Sequence, residues 1–424
     1  MLAVASAWSG VSGQDIVWSL DSCFACADTH NTSILIAATG IRKSRMQLLQ
    51  SKAELLPTLQ LYVNQYYNWG RSVDMQELVI VRNRLTRQTS ASVGASFSIF
   101  DGFARINTIA ANRSMAAAAV SDAAQTALEV KADIARAYLG NILARLTEEN
   151  LSLSHDDLCR QIRNARQLAS CGQRNGSDIL ELEAKAADIE AQIAEAQAEA
   201  TANLQQLHLL TGCTEPFITD ITVAYDYYPE TYSDHEDPAD TPAVEAARQS
   251  AEAAGYALKA AKGALYPTLS LSAAYGTCYS DAASASFKEQ IDGNRNPSVA
   301  LNLSVPIFDC GRGLAAVARA REDLEAQRLK LRQAQEEAER ELDQMRRQCT
   351  MLSKQREALA TKKDFCEERL RRSDKEYELG TISASQWIEA HEACSQSGCE
   401  LLQCRCKYLF QLIILKLYYD GCQK

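Results

Sequence analysis

The side chains best suited to chemistry in this chain are its histidines, its cysteines and its paired acids, and their spacing argues against catalysis. His30, His155, His208, His235 and His391 are scattered, with no HExxH for zinc, no GxSxG for a nucleophile and no GxxxxGK loop for phosphate. Asp156-Asp157 and Glu148-Glu149 are adjacent in a helical stretch and point in different directions, so neither forms a converging acid–base pair. The chain has 14 cysteines, and Cys23-x-x-Cys26 has the spacing of a redox or metal motif. No second pair stands at zinc spacing, and a packed helix face accounts for it. Cys394, Cys399, Cys404 and Cys406 mostly miss a common helix face and read as small buried hydrophobes. No catalytic residue, cofactor or metal site follows, and the chain is read as something other than an enzyme.

What must position these residues is set by composition and by repetition. The 424 residues include only 19 Gly and 8 Pro, about half the usual share, which implies long uninterrupted elements. A net charge of −10 excludes a basic nucleic-acid binder, and 46% apolar residues exclude a disordered chain. The longest apolar stretch, Tyr408 to Tyr419, is too short for a membrane helix and is broken by Gln411 and Lys416. Residues 1–14 resemble the remnant of a secretory signal peptide without its basic start, the alternative being a disordered leader.

Landmarks occur twice. Leu55-Leu-Pro-Thr-Leu-Gln-Leu61 returns as Leu265-Tyr-Pro-Thr-Leu-Ser-Leu271, Ile99-Phe-Asp101 as Ile307-Phe-Asp309, and Gly172 with Ser177 as Gly380 with Ser385; Asp101 to Gly172 and Asp309 to Gly380 are both 71 positions. One unit is used twice. The first repeat is read as 15–213, with a helix, a strand pair at 57–69 and 90–101, a long helix at 103–170 and a return helix at 177–210. The second is 243–424, with a helix, strands 267–279 and 297–308, a long helix at 311–378 and a return helix at 381–419. Residues 214–242, acidic and bearing prolines, form the connector.

The strands alternate. Leu59, Leu61 and Val63, then Ala91, Val93, Ala95 and Phe97, oppose Ser, Gly, Gln and Thr, and Leu269, Leu271 and Ala273 with Val299, Leu301 and Leu303 repeat the pattern. Strands of about ten residues with one apolar and one small polar face suit a tilted membrane β-strand, and Tyr66, Tyr67, Trp69 and Tyr279 lie where an aromatic girdle would. The long helices, each roughly 100 Å, carry apolar residues at every seventh position, from Ile109 to Leu158 and from Val317 to Cys366, which predicts left-handed packing against neighbours. Four strands would leave unpaired backbone in lipid, so other copies must close the sheet, and three copies with twelve strands form the smallest barrel with a lumen.

At this point the sequence resembles the TolC-like outer-membrane factors. The resemblance rests on L-x-P-x-L before a strand, on Phe100-Asp-Gly102 and Phe308-Asp-x-Gly311 after one, and on Gly-x5-Ser at the tip, each duplicated at fixed spacing. It implies a mainly α fold with membrane β-hairpins: a homotrimer with a 12-stranded β-barrel, four strands per protomer, continued by a long α-helical barrel. It further implies residence in the bacterial outer membrane with a long periplasmic extension, and a role as exit duct of a tripartite efflux pump or type I secretion system. The implied partners are a periplasmic adaptor (membrane fusion) protein, an inner-membrane transporter of RND or ABC type, and outer-membrane lipid, with no nucleic acid.

The resemblance also assigns residues. A periplasmic entrance constriction falls on Glu389 and Gln386, with Asp178 and Glu181 as first-copy equivalents. Gln386 departs from the acidic pattern, and Glu389 also reads as an ordinary solvated helix residue. Tip turns that would meet an adaptor are Gly172, Ser177, Gly380, Ser383 and Ser385, although the serines are equally explained as helix caps. Pro57, Pro267, Asp101 and Asp309 mark helix–strand junctions. The competing function is a soluble coiled-coil scaffold bridging partners, which leaves the strands unexplained.

Overall fold

The computed structural model describes residues 17–73, 80–170, 176–213, 218–219, 241–283 and 285–422. The signal-peptide reading, Gly172 and most of the acidic connector fall outside these residues. The chain divides into two compact units, one from Gly40–Val120 and Glu245–Gln333, the other from Ser121–Val244 with the chain up to Thr39 and from Ala334 onward.

The first unit holds a four-stranded antiparallel sheet. Its strands are β2 (Thr58–Val73), β3 (Ile80–Phe100), β5 (Thr268–Ser280) and β6 (Asn296–Ser304), in the order β2-β3-β5-β6. A helix precedes each hairpin, α2 (Thr32–Ala53) and α5 (Pro242–Gly263), and each begins in the other unit. Both end in tightened turns, with Leu56 N–H donating to Ala53 O and Tyr266 N–H to Gly263 O, just before Pro57 and Pro267. A residue before proline is pushed to extended backbone, so the helix stops and the strand begins.

The strand bounds differ from the pattern in two instructive ways. β2 and β3 outrun 57–69 and 90–101, because ladder pairing continues through Leu85, Arg84 and Gly70 after the apolar alternation has ended. β6 stops at Ser304 rather than 308: Pro306 has no N–H to donate and constrains Val305. Pattern reading also missed α6 (Phe287–Gly293) inside the second hairpin. Its signal was present as a capping box, with Glu289 N–H donating to Ser286 Oγ at 3.4 Å and Ser286 N–H to Glu289 Oε2 at 2.9 Å. Buried Gln290 ties this helix to the strand end through Ser280 N–H, at 2.8 Å, and Ser280 O, at 3.0 Å.

The second unit is helical. Its long members are α3 (Ala104–Ser170), α4 (Gly176–Thr211), α7 (Arg312–Glu378) and α8 (Ala384–Cys422), of which α3 and α7 begin in the other unit. A short α1 (Leu20–His30) buries Leu20, Cys23 and Ala27 against Ile134, Tyr138 and Ile142 of α3, Leu207 of α4, and Leu409 and Ile413 of α8. Two-residue strands β1 (Val17–Trp18) and β4 (Ile218–Thr219) pair in parallel. They are held to α3 by Tyr138 Oη donating to Trp18 O at 2.9 Å and Arg145 Nη1 to Thr219 O at 3.0 Å. The seven-residue seam matches burial: Val130, Ala137, Ala144, Leu151 and Leu158 of α3 are buried, and every seam position of α7 from Val317 to Cys366 is at least half-buried. No described helix is long and apolar enough to cross a membrane.

Candidate channel wall and helical tip

Register turns the alternation of separate strands into two continuous faces. Leu61 pairs with Val93 and Val93 with Tyr275; Phe97 pairs with Leu271 and Leu271 with Leu301. Side chains directly across a ladder share a face, so one side of the sheet is mainly Leu, Val, Ala and Phe, with Tyr275 among them and Gln65, Thr89 and Thr277 toward one end of the strands. The other side joins Gln60, Gly94, Ser92, Gly276 and Asn296 with Ser96, Ser272 and Ala300, and Cys278 lies on it opposite Ser90. Leu59, Leu61, Val299, Leu301 and Leu303 are exposed in the single chain, an apolar surface that water does not favour. Tyr67 and Trp69 stack at 6.3 Å on the same face near the strand end.

Both junction aspartates cap the helix that follows. Asp101 Oδ2 accepts from the Arg105 backbone N–H at 3.2 Å and from its Nε at 2.7 Å, and Arg105 also donates to Glu54 O and Ser98 O. One guanidinium therefore joins the end of α2, the end of β3 and the start of α3. Asp309 accepts from Gly311 and Gly313 N–H at 3.0 and 2.6 Å. The backbone enters both helices through two consecutive left-handed residues, Gly102 (φ 67°) and Phe103 (φ 65°) in the first copy, Cys310 (φ 58°) and Gly311 (φ 79°) in the second.

At the other end of α7 the turn is a Schellman motif. Gly380 has φ 73°, its N–H donates to Tyr377 O at 3.1 Å, and Thr381 N–H donates to Glu376 O at 2.9 Å. Ser383 then opens α8 with a reciprocal capping box: Gln386 N–H donates to Ser383 Oγ at 3.3 Å and Ser383 N–H to Gln386 Oε1 at 3.2 Å. This cap explains why α8 begins at Ala384 rather than 381, and it gives the Gln386 side chain a structural role. Ser385 is exposed in the first turn of α8, and Ser177 is exposed at the start of α4.

Glu389 lies with Gln386 on an open groove of about 500 Å³, lined also by Phe365, Arg369, Arg372 and Ile382. Its carboxylate is 3.5 Å from Arg369 Nη2, with side chains 71% and 55% exposed, so the pair contributes under about 1 kcal/mol and Glu389 remains a solvated charge. Asp178 and Glu181 stand on the first turns of α4 and do not line this groove. The arginines facing Glu389 were not singled out by the sequence reading, since nothing in α7 alone distinguishes them from its other cations.

Beneath the turn sits a buried cluster that sequence reading also missed. Trp387 is 1% exposed, donates Nε1–H to Asp374 Oδ1 at 2.7 Å, and stacks on His391 at 4.9 Å. His391 Nε2 is 3.2 Å from Ser154 Oγ of α3, while its Nδ1 is buried without a partner. Burial holds its pKa below the ordinary value; Asp374 of α7 and Glu392 of α8 pull it up and Lys185 of α4 pushes it down, without reversing the shift. A histidine whose folded pKa is depressed binds fewer protons folded than unfolded, so stability present above its ordinary pKa is lost as pH falls toward the folded value. Acidification from about pH 7 to 5 is expected to lower the melting temperature of the wild type more than that of His391→Phe, which keeps the stack and cannot titrate. Equal pH slopes in paired thermal melts would refute this.

These features have counterparts among known proteins. Residues 27–213 and 239–418 match the family model for outer membrane efflux proteins. The curated outer membrane efflux protein BepC of Brucella suis biovar 1 is 26% identical over 252 residues, which cover 58% of this chain and only 53% of that protein. The crystal structure of CusC superposes with a TM-score of 0.86 at 18% identity, covering 95% of this chain and 91% of that one. The open-state MtrE channel of Neisseria gonorrhoeae gives 0.82 at 20% identity, covering 96% and 89%. The chain therefore belongs to the outer membrane efflux protein family, whose members are channels of the bacterial outer membrane.

Proposed function

We propose that three copies of the chain close their sheets into one 12-stranded barrel and form the outer-membrane exit duct of a tripartite efflux pump or type I secretion system. The observation that carries this is the sheet itself. Among the described residues β2 and β6 each have a neighbour on one side only, while one face carries exposed Leu59, Leu61, Val299, Leu301 and Leu303. Unpaired ladder edges in hydrocarbon cost several kcal/mol per group, so the free edges must meet, and β2 of one copy against β6 of the next does this without a new element. The Ser, Gly and Asn face then lines a wet lumen. A periplasmic adaptor and an inner-membrane transporter of RND or ABC type would deliver substrate to the helical end, where the turns at Gly380, Ser383 and Ser385, with Gly172 and Ser177, offer the adaptor its contacts.

The test is the mass of the detergent-purified complex together with its conductance in a planar bilayer. A trimer that conducts supports the reading; a lipid-free monomer in plain buffer ends it. Glu389, repeated three times around the axis, is assigned to the entrance constriction and biases it toward cations. Glu389→Gln is expected to reduce cation preference in reversal-potential measurements, and Arg369→Gln to increase it. Unchanged selectivity in both variants would remove the assignment.

A further inference from the structure

Two thiols from distant parts of the sequence touch. Cys26 Sγ on α1 and Cys213 Sγ, just beyond α4, are 3.1 Å apart across 187 positions of chain. Each is half-buried, hence open to a reagent, whereas Cys23 on the same helix is wholly buried in the core. Their backbones are held from both sides. Asn31 Nδ2 donates to Leu210 O at 2.6 Å, and Gly212 (φ 69°) lies so close to His30 that an added Cβ would come within 2.7 Å of its carbonyl oxygen. On the other flank, β1 and β4 join the same two segments through their parallel pairing. Forming a bond of about 2.05 Å needs the sulfurs to close by roughly 1 Å, within reach of side-chain rotation.

We propose that Cys26 and Cys213 are joined by a disulfide in the exported protein. An outer-membrane chain crosses an oxidising compartment, where a pair held in contact is oxidised. The step is exchange with an oxidised dithiol donor of that compartment. The thiolate of one cysteine attacks the donor disulfide, breaking it and forming a mixed disulfide; the second thiolate attacks the protein sulfur of that bond and expels the donor's remaining thiol. The protein pair loses two electrons and two protons, and the donor gains both. Desolvation, followed by the Cys213 contact, pushes the Cys26 thiol up to about 11, which slows formation of its thiolate, so the exchange depends on the contact between the two sulfurs rather than on an activated thiol. The product is a staple from α1 to the end of α4, covalent where the β1–β4 ladder is noncovalent.

The experiment takes full-length protein from outer membranes, quenched in acid and alkylated before digestion. The expected result is a linked peptide containing Cys26 and Cys213, lighter by two hydrogens than the reduced pair. Cys26→Ser and Cys213→Ser should each leave the other cysteine alkylated. A reductant should lower the melting temperature of the wild type but of neither variant. Recovery of both thiols alkylated, or of Cys26 linked to Cys23, overturns the proposal. A variant that fails to reach the membrane does not weaken the test, because the wild-type peptide map decides it.

Discussion

Gly102→Ala is expected to cost about 3–5 kcal/mol and to leave little folded protein in the membrane. An added Cβ would lie 2.2 Å from Gly263 O and 2.9 Å from Tyr266 Cβ, both on the stretch that carries α5 into β5. Those atoms are backbone or its first side-chain carbon, so neither can swing aside. The left-handed conformation adds strain of its own, since φ 67° brings a Cβ toward the following carbonyl. Gly311→Ala supplies the control. Its φ of 79° is equally left-handed, but nothing lies within 4 Å of its Cβ position, so only backbone strain of about 1 kcal/mol remains. Chemical denaturation of the detergent-solubilised protein separates the two. Equal losses would mean that the close approach of the two copies at this junction contributes nothing.

Leu301→Arg is expected to destabilise the inserted sheet by about 2–4 kcal/mol and to deplete the assembled form. Leu301 is opposite Leu271, on the face that also carries Phe97, and it is 63% exposed in the single chain. In the proposed barrel that exposure meets hydrocarbon. Ser298→Arg on the opposite face is the matched substitution, and there a guanidinium would stay in water. It should assemble normally and alter conductance. Sedimentation in detergent distinguishes these outcomes, and normal assembly of Leu301→Arg would show that this face does not meet lipid.

Much of this architecture was legible because its signals are periodic. A two-residue alternation at Leu59, Leu61 and Val63 and a seven-residue recurrence from Val317 to Cys366 depend on geometry that every residue in a strand or helix shares. What escaped was local or relational. The ends of β6 and α8 depend on one proline and one capping box, and the extension of β3 to Ile80 depends on backbone pairing that carries no apolar signature. The tip shows the same limit: Glu389 could be picked out by its place after Gly380, but its guanidinium neighbour Arg369 and the Asp374 partner of Trp387 arise only when α7 folds back on α8, while the Gln386 cap and the Trp387–His391 stack are short-range features within α8. The contact between Cys26 and Cys213 lies further still from any pattern, since their proximity comes from docking α1 beside the last turn of α4.

The helix α7 has 67 residues, of which only Ala338, Leu342, Leu352 and Tyr377 are buried within the chain. So sparse an anchorage cannot offset the conformational entropy of so long an element. In the proposed trimer the rest of its surface would be covered by neighbouring copies, so ordering of this helix and assembly would be a single event.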